Sequence, residues 1–312
     1  MNELVTVFGG GGFLGRYVAQ ELLARGARVR VAERDPSNAR VVKPLGGLGQ
    51  SQAIVADVRD ADSAQRAAAG SQAVVNLVGV LSGDFESFHV DGARNAAAAA
   101  TAAGAKAFVQ ISAIGADPAA ESRYGASKGR GEEAAREAFK GATIIRPSIL
   151  FGREDNFVNR FAQLASLLPV LPVIRGSVRF QPVSVVDVAR AIAIAVLDPL
   201  RYGGKTFELG GPQALSMAEL MTWTARAIGR KPRLLSVPDP IAQALARFGG
   251  WLPGAPITWD QWLMLQVDNV AGAGSKGLAA FGISPTPLAA VASEWLVQYR
   301  RHGRFGAISK AA

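Results

Sequence analysis

Eight residues near the amino terminus, Phe8-Gly9-Gly10-Gly11-Gly12-Phe13-Leu14-Gly15, constrain this chain more than any other feature. They come directly after an apolar run, Leu4-Val5-Thr6-Val7-Phe8, that reads as a buried strand. They open a helical pattern over 15–24 that Gly26 ends. The spacing Gly9, Gly12, Gly15 is G-x-x-G-x-x-G between a strand and a helix, the context in which such glycines carry chemistry. Gly9 permits the sharp turn out of the strand, Gly12 lets backbone approach a diphosphate, and Gly15 lets the helix pack closely. The helix start at Phe13 and Leu14 then offers free N–H groups and a positive dipole end to an anion. The bland alternative is a glycine-rich turn with no ligand.

The remainder of the first half alternates in the same way. Strands are predicted at 29–32, 53–56, 73–78, 107–111 and 143–145, with helices after Asp60, over 93–103 and over 127–139. Such alternation predicts an α/β fold: a doubly wound parallel sheet of Rossmann type with helices on both faces, joined by right-handed crossovers. After Pro147 the pattern loosens. Residues 156–186 hold three Arg, no acid and prolines at 169, 172 and 182. Helices are predicted at 188–197, with Asp187 as cap or N-terminal charge, and at 215–228. The reading is a nucleotide-binding domain over 1–150 and a smaller carboxyl-terminal α/β domain over 151–312 that covers the crevice, with chain crossing back to the sheet.

Composition narrows the chemistry. With 49% hydrophobic and 19% charged residues among 312, the chain is globular, neither disordered nor membrane-spanning. The absence of Cys excludes disulfides, thiolate metal sites and cysteine nucleophiles. The two His, His89 and His302, do not suffice for a multi-histidine metal site, so no metal is expected. His89 is expected to cap or pack beside the Ala-rich helix. The net charge of +9 is partly local: Arg300, Arg301, Arg304 and Lys310 stand near the carboxyl end with no acid beside them. A basic tail favours an anionic membrane surface or an acidic protein, or is simply solvated. No aromatic–basic interleaving points to nucleic acid.

Further residues fit the first domain to a dinucleotide. The second strand ends Glu33-Arg34-Asp35: an acid there accepts from a ribose hydroxyl, whereas an Arg pairs with a 2′-phosphate. Arg34 can also stack on adenine, which favours NADP(H) over NAD(H). Asp57 and Val58 come after the third strand, where adenine would lie, and Gly79 comes after the fourth, where backbone can approach ribose and phosphates. Asp60 or Asp62 reads as a helix cap. Tyr124 and Lys128 stand at i and i+4, so they share a helix face. A neighbouring ammonium is expected to lower the Tyr124 pKa, making it a general acid/base, while Lys128 also holds the nicotinamide ribose.

The glycine motif, Asp57 and the Tyr124/Lys128 pair resemble, in order and spacing, the short-chain dehydrogenase/reductase superfamily in its extended or atypical branch. That resemblance implies a Ser or Thr after the fifth strand. Ala113 aligns there, so Ser112, one position earlier and on the opposite side of the strand, is the substitute candidate. Pro147 and Ser148, after Arg146, should line the nicotinamide end. Three later segments, 145–161 with Phe151-Gly152-Arg153-Glu154-Asp155, 181–188 and 281–288, resemble the accessory-subunit type called alpha-subcomplex subunit nine of respiratory complex I. This resemblance spans about residues 4–295. It implies tightly bound NADP(H), association with complex I near a membrane surface, and catalysis that is weak or lost. The acid-free stretches 156–186 and 241–255, the second carrying Trp251, suit such an interface or a substrate lid or core. The alternative is a free NADP-dependent reductase, epimerase or dehydratase acting on a small carbonyl or sugar. With no basic n-region and apolar h-region at the start, the expected location is the bacterial cytoplasm, or peripherally the inner face of its membrane.

Overall fold

The computed structural model describes residues 3–250, 257–301 and 303. Arg304, Lys310 and His302 of the carboxyl-terminal tail, and residues 251–255 of the second apolar stretch with Trp251, lie outside the described residues.

The central sheet is made of β1 (Leu4–Phe8), β2 (Arg28–Glu33), β3 (Ser51–Val55), β4 (Ala73–Asn76), β5 (Ala107–Ile111), β6 (Thr143–Pro147) and a last strand, Thr206–Leu209. From one edge the order is the last strand, β6, β5, β4, β1, β2, β3, and every pairing is parallel. A parallel strand covered on both faces needs apolar side chains on both. Val5, Val7, Val74, Val75, Phe108, Val109, Ile144 and Ile145 are accordingly all buried. The covering helices are α1 (Phe13–Ala24), α2 (Ala61–Ala68), α3 (Gly92–Ala102), α4 (Arg123–Ala138) and a helix over Val185–Leu197. The alanine-rich stretch is a packing device. Ala64, Ala67 and Ala68 of α2 meet Ala93, Ala96, Ala97 and Ala100 of α3 in one buried cluster. This is the doubly wound arrangement that the alternation predicts. The winding direction reverses between β1 and β4, and in such sheets the ligand crevice opens outside the carboxyl ends of the strands at that point.

Several element boundaries differ from the sequence reading by a few residues, and three of them have a local reason. β4 stops at Asn76, not at residue 78, because the Asn76 side chain accepts the Val78 N–H at 3.2 Å and donates to Gln110 at 2.9 Å. α4 starts at Arg123 rather than 127, because Ser122 caps it by accepting the Gly125 N–H at 3.0 Å. The helix predicted from 188 starts at Val185, which puts Asp187 in its first turn as an N-terminal charge. Asp60 caps α2, accepting from Asp62 and Ser63.

The chain forms two compact units. The first holds Met1–Pro147, Val185–Leu209 and Gly272–Ser284; the second holds Ser148–Ser184, Gly210–Ala271 and Pro285–Ala312. In the second, helices Val158–Leu167 and Met217–Ala227 pack around Leu171, Phe180, Leu220 and Trp295. Among the described residues no helix is long and apolar enough to cross a membrane.

Candidate functional site

An open cleft of about 440 Å³ lies at the carboxyl ends of β1, β2 and β4. The glycine turn forms its floor. Gly9 has φ +77°, a left-handed backbone that side-chain-bearing residues rarely adopt. A Cβ on Gly15 would stand 2.2 Å from the Gly9 carbonyl oxygen, so only glycine lets α1 start against the turn. Gly12 is different: a Cβ there would meet only the Gly9 oxygen, at 3.3 Å, and otherwise open space. Gly12 is also the N-cap of α1. No side chain bonds the first N–H groups of this helix, and no acid stands in its first turn. Phe13, Leu14 and Gly15 therefore present backbone donors in the cleft that no side chain among the described residues fills, an arrangement that fits a phosphate group.

At the far side of the cleft stand Glu33, Arg34, Asn38, Asp57, Val58 and Phe88. The Glu33 carboxylate accepts the Gly11 N–H at 2.7 Å, and burial raises its pKa. The Arg34 guanidinium lies 5.2 Å from the centre of the Phe88 ring, and that of Arg59 lies 4.7 Å from it. Asp57 does not stand ready for adenine by itself. Its carboxylate accepts Arg59 Nη2 at 2.6 Å and Arg59 Nε at 3.0 Å, and these bonds hold its pKa below the usual carboxylate range. Phe88 in the cleft lining, and Arg59 packed on it, are features that the sequence reading missed; neither belongs to a motif, and their pairing is visible only in three dimensions. Gly79 and Val80 line the cleft beyond the end of β4.

Tyr124 and Lys128 share α4, and their surroundings correct the expected chemistry. Burial pushes the Tyr124 phenol up to about 12, above its ordinary value rather than below it. The Lys128 Nζ donates to the Ile111 carbonyl at 3.0 Å, and burial lowers it to about 8 against the opposite pull of Glu132. Nζ lies 3.7 Å from where a Gly79 Cβ would stand, which places it beside that cleft-lining glycine. Ser112 is buried, and its Oγ has no hydrogen-bond partner among the described residues while its N–H pairs with the Ile145 carbonyl. His89 is not simply packed: it bonds both Val80 and Ser127.

The segment expected at the nicotinamide end makes several bonds within the protein. Arg146 makes a two-pronged ion pair with buried Glu132, both contacts at 2.8 Å, and a weaker contact to Glu208 at 3.4 Å. Its pKa rises because of the Glu132 bonds. Pro147 ends β6. Ser148 is buried with its Oγ 2.7 Å from Asn269 Oδ1 and 2.9 Å from the Asn269 carbonyl, both partners belonging to the second unit.

Comparison with known proteins agrees with the cleft. A family model described as NAD(P)H-binding matches residues 9–199. The chain is 35% identical to the mitochondrial NADH dehydrogenase [ubiquinone] 1 alpha subcomplex subunit 9 of Arabidopsis thaliana, over 96% of this chain and 79% of that protein. It is 32% identical to a ceramide reductase of Caulobacter vibrioides, over 80% of this chain and 78% of that one. The triphenylmethane reductase of Citrobacter sp., solved with NADP(H), superposes with a TM-score of 0.74 at 20% identity, covering 95% of this chain and 99% of that chain. The expected bacterial cytoplasmic location is corrected by these findings: relatives matched over nearly the whole chain are mitochondrial subunits.

Proposed function

The chain belongs to the NAD(P)H-binding family, and on that premise we propose that it is an NADP(H)-holding accessory subunit or assembly partner of respiratory complex I, with catalysis weak or lost. The observation that carries the reading is the uncapped, glycine-cradled start of α1 in an open cleft. The accessory role draws on 35% identity to a complex I subunit over 96% of the chain.

In this reading the N–H groups of Phe13, Leu14 and Gly15 hold the diphosphate, and Gly12 makes room for it. Arg34 takes the 2′-phosphate. Glu33 competes less for the ribose because its carboxylate already accepts from Gly11 at 2.7 Å. Asp57 and Val58 flank adenine, Gly79 meets ribose and phosphate backbone, and Lys128 and Pro147 stand toward the nicotinamide. The bound dinucleotide would supply a nicotinamide able to give or take hydride. The protein side of that chemistry is poorly tuned: a phenol at about 12 gives up its proton only well above neutral pH.

A second reading, a free NADP-dependent reductase, epimerase or dehydratase acting on a small carbonyl or sugar, draws on the Tyr124/Lys128 pair and on Ser112, whose buried hydroxyl has no partner among the described residues. The ceramide reductase relative carries reductase chemistry, but its named substrate is a lipid.

The deciding experiment identifies by mass the nucleotide retained by the purified chain, then asks whether the chain co-purifies with complex I from detergent-solubilised membranes. NADP(H) and co-purification are expected. Retained NAD(H) overturns the Arg34 assignment, and a chain that binds neither dinucleotide overturns the site. Substrate-dependent NADPH turnover that Tyr124→Phe abolishes, without co-purification, establishes the second reading instead.

A further inference from the structure

We propose that His89 is a positioning residue of the dinucleotide site: its imidazole, protonated on Nδ1, ties the backbone at Val80 in the cleft to the helix that carries Tyr124 and Lys128. The proposal rests on the dinucleotide reading above and adds a residue that no sequence motif contains.

The hydrogen bonds define the imidazole's state. His89 Nε2 lies 3.0 Å from the Val80 backbone nitrogen, whose N–H can only donate, so Nε2 carries no proton. The proton therefore sits on Nδ1, which donates to Ser127 Oγ at 2.8 Å. The Ser127 Oγ in turn donates a hydrogen bond to the Tyr124 carbonyl at 2.9 Å. One continuous chain of bonds thus runs from the loop after β4, through His89, to the first turn of α4. Burial and the nearby Lys128 hold the imidazole down to about 3, so this donor–acceptor pattern persists across the physiological range.

Packing fixes the ring as firmly. It stacks on Phe85, with centroids 5.4 Å apart and planes at 16°, and meets the Tyr124 ring edge-on at 5.4 Å and 89°. The His89 backbone presses on α4 as well: a Cβ on Gly131 would fall 2.1 Å from the His89 carbonyl oxygen. The residue lies on a π-helical turn, Glu86–Asp91, that runs directly into α3. Such turns are rare and concentrate at functional sites, because the extra residue re-aims neighbouring side chains. Here Phe88 lines the cleft beside Arg34, while His89, the next residue, faces Ser127. Gly79 completes the junction: a Cβ there would be 3.7 Å from both His89 Nε2 and Lys128 Nζ. His89 is thus the strut that sets how far Gly79 and Val80 stand from the Tyr124/Lys128 helix.

A histidine that only filled space would need its ring; a strut needs the acceptor at Nε2. Glutamine places an acceptor near that position, asparagine only near Nδ1, and phenylalanine keeps a ring with neither. The test measures NADPH and 2′,5′-ADP binding by calorimetry on the full chain for His89→Gln, His89→Asn and His89→Phe, with the nicotinamide fluorescence anisotropy of bound NADPH. The second ligand lacks the nicotinamide, its ribose and the nicotinamide-side phosphate of the diphosphate bridge. His89→Gln should hold NADPH within about threefold of the parent chain. His89→Asn and His89→Phe should weaken it about tenfold, the scale of a half-buried N–H left unpaired, and lower the anisotropy. Binding of 2′,5′-ADP should stay within about twofold throughout. NADPH binding unchanged in His89→Asn, equal behaviour of Gln and Asn, or parallel loss of 2′,5′-ADP overturns the proposal. If His89→Phe does not fold, the Gln–Asn comparison decides alone. A parent chain that binds neither ligand fails at the dinucleotide reading itself, before any variant is made.

Discussion

The two ends of the site are built from different materials. The diphosphate end is backbone: glycines, an uncapped helix start and open space at Gly12. The Tyr124 end is side chain, and several of its polar groups are bonded within the protein. Lys128 bonds the Ile111 carbonyl, and His89 and Ser127 bond each other. Groups held this way resist reorganisation, and burial moves Tyr124 and Lys128 apart, to about 12 and about 8. The contrast teaches that binding and catalysis are separable in this fold. A backbone cradle keeps its anion-binding capacity whatever happens at the other end, whereas an acid/base pair depends on every neighbour that desolvates it.

The largest expected effect tests the backbone end. Gly15→Ala puts a Cβ against rigid backbone, 2.2 Å from Gly9 O and 2.6 Å from the Gly10 carbonyl carbon, so the turn must shift. Dinucleotide affinity should fall about 100-fold or more, and stability by about 1–3 kcal/mol, the usual cost of overpacking. Gly12→Ala separates the two losses. Its φ of −72° suits alanine and its only close neighbour is the Gly9 oxygen, so the fold should melt within about 0.5 kcal/mol of the parent while affinity drops about tenfold. Calorimetric titration and thermal melts read both. If the two variants lose binding and stability in the same proportion, the cleft at Gly12 is not ligand space.

This division also explains what the sequence made visible. The glycine turn is local: the atoms that forbid a Cβ at Gly15 belong to Gly9 and Gly10, so its spacing is readable from the chain alone. The sheet is readable because both faces of β1, β4, β5 and β6 are buried and their apolar runs say so. The side-chain end is not local. His89 meets Ser127 across 38 residues, and Ser148 meets Asn269 across 121. No periodicity encodes such pairs. The Arg59 claim on Asp57 is local, two residues apart, but it stayed hidden because two neighbouring charges can equally point apart.

A smaller effect tests the side-chain end through pH. Lys128 titrates near 8 in the folded chain against 10.5 when unperturbed. Between those values the unfolded chain holds a proton that the folded chain has released, so this group's contribution to stability rises with pH there. Tyr124 acts oppositely above pH 10. Folded it ionises near 12, so the unfolded phenol loses its proton first and stability falls. Chemical denaturation of the parent chain and Lys128→Met should therefore show the stability difference moving in the parent's favour by about 1–2 kcal/mol between pH 7 and 9.5. A flat difference would mean that the ammonium is solvated, and the contrast between the two ends would disappear.

The smallest effect concerns Ser148, the residue whose sequence position suggested the nicotinamide end. Its hydroxyl lies 2.7 Å from Asn269 Oδ1, and the Gln181 N–H donates to it at 3.2 Å, all within the second unit. Removing it leaves the Gln181 N–H one acceptor short, although that N–H also reaches the Asn269 carbonyl at 3.1 Å, so the penalty is partly absorbed. Ser148→Ala should cost about 1 kcal/mol of stability, the worth of one ordinary internal hydrogen bond, and change NADPH affinity by less than about twofold. A loss of affinity larger than the loss of stability would place this hydroxyl against the dinucleotide after all, and the side-chain end would then extend to a residue whose bonds here are all to its own unit.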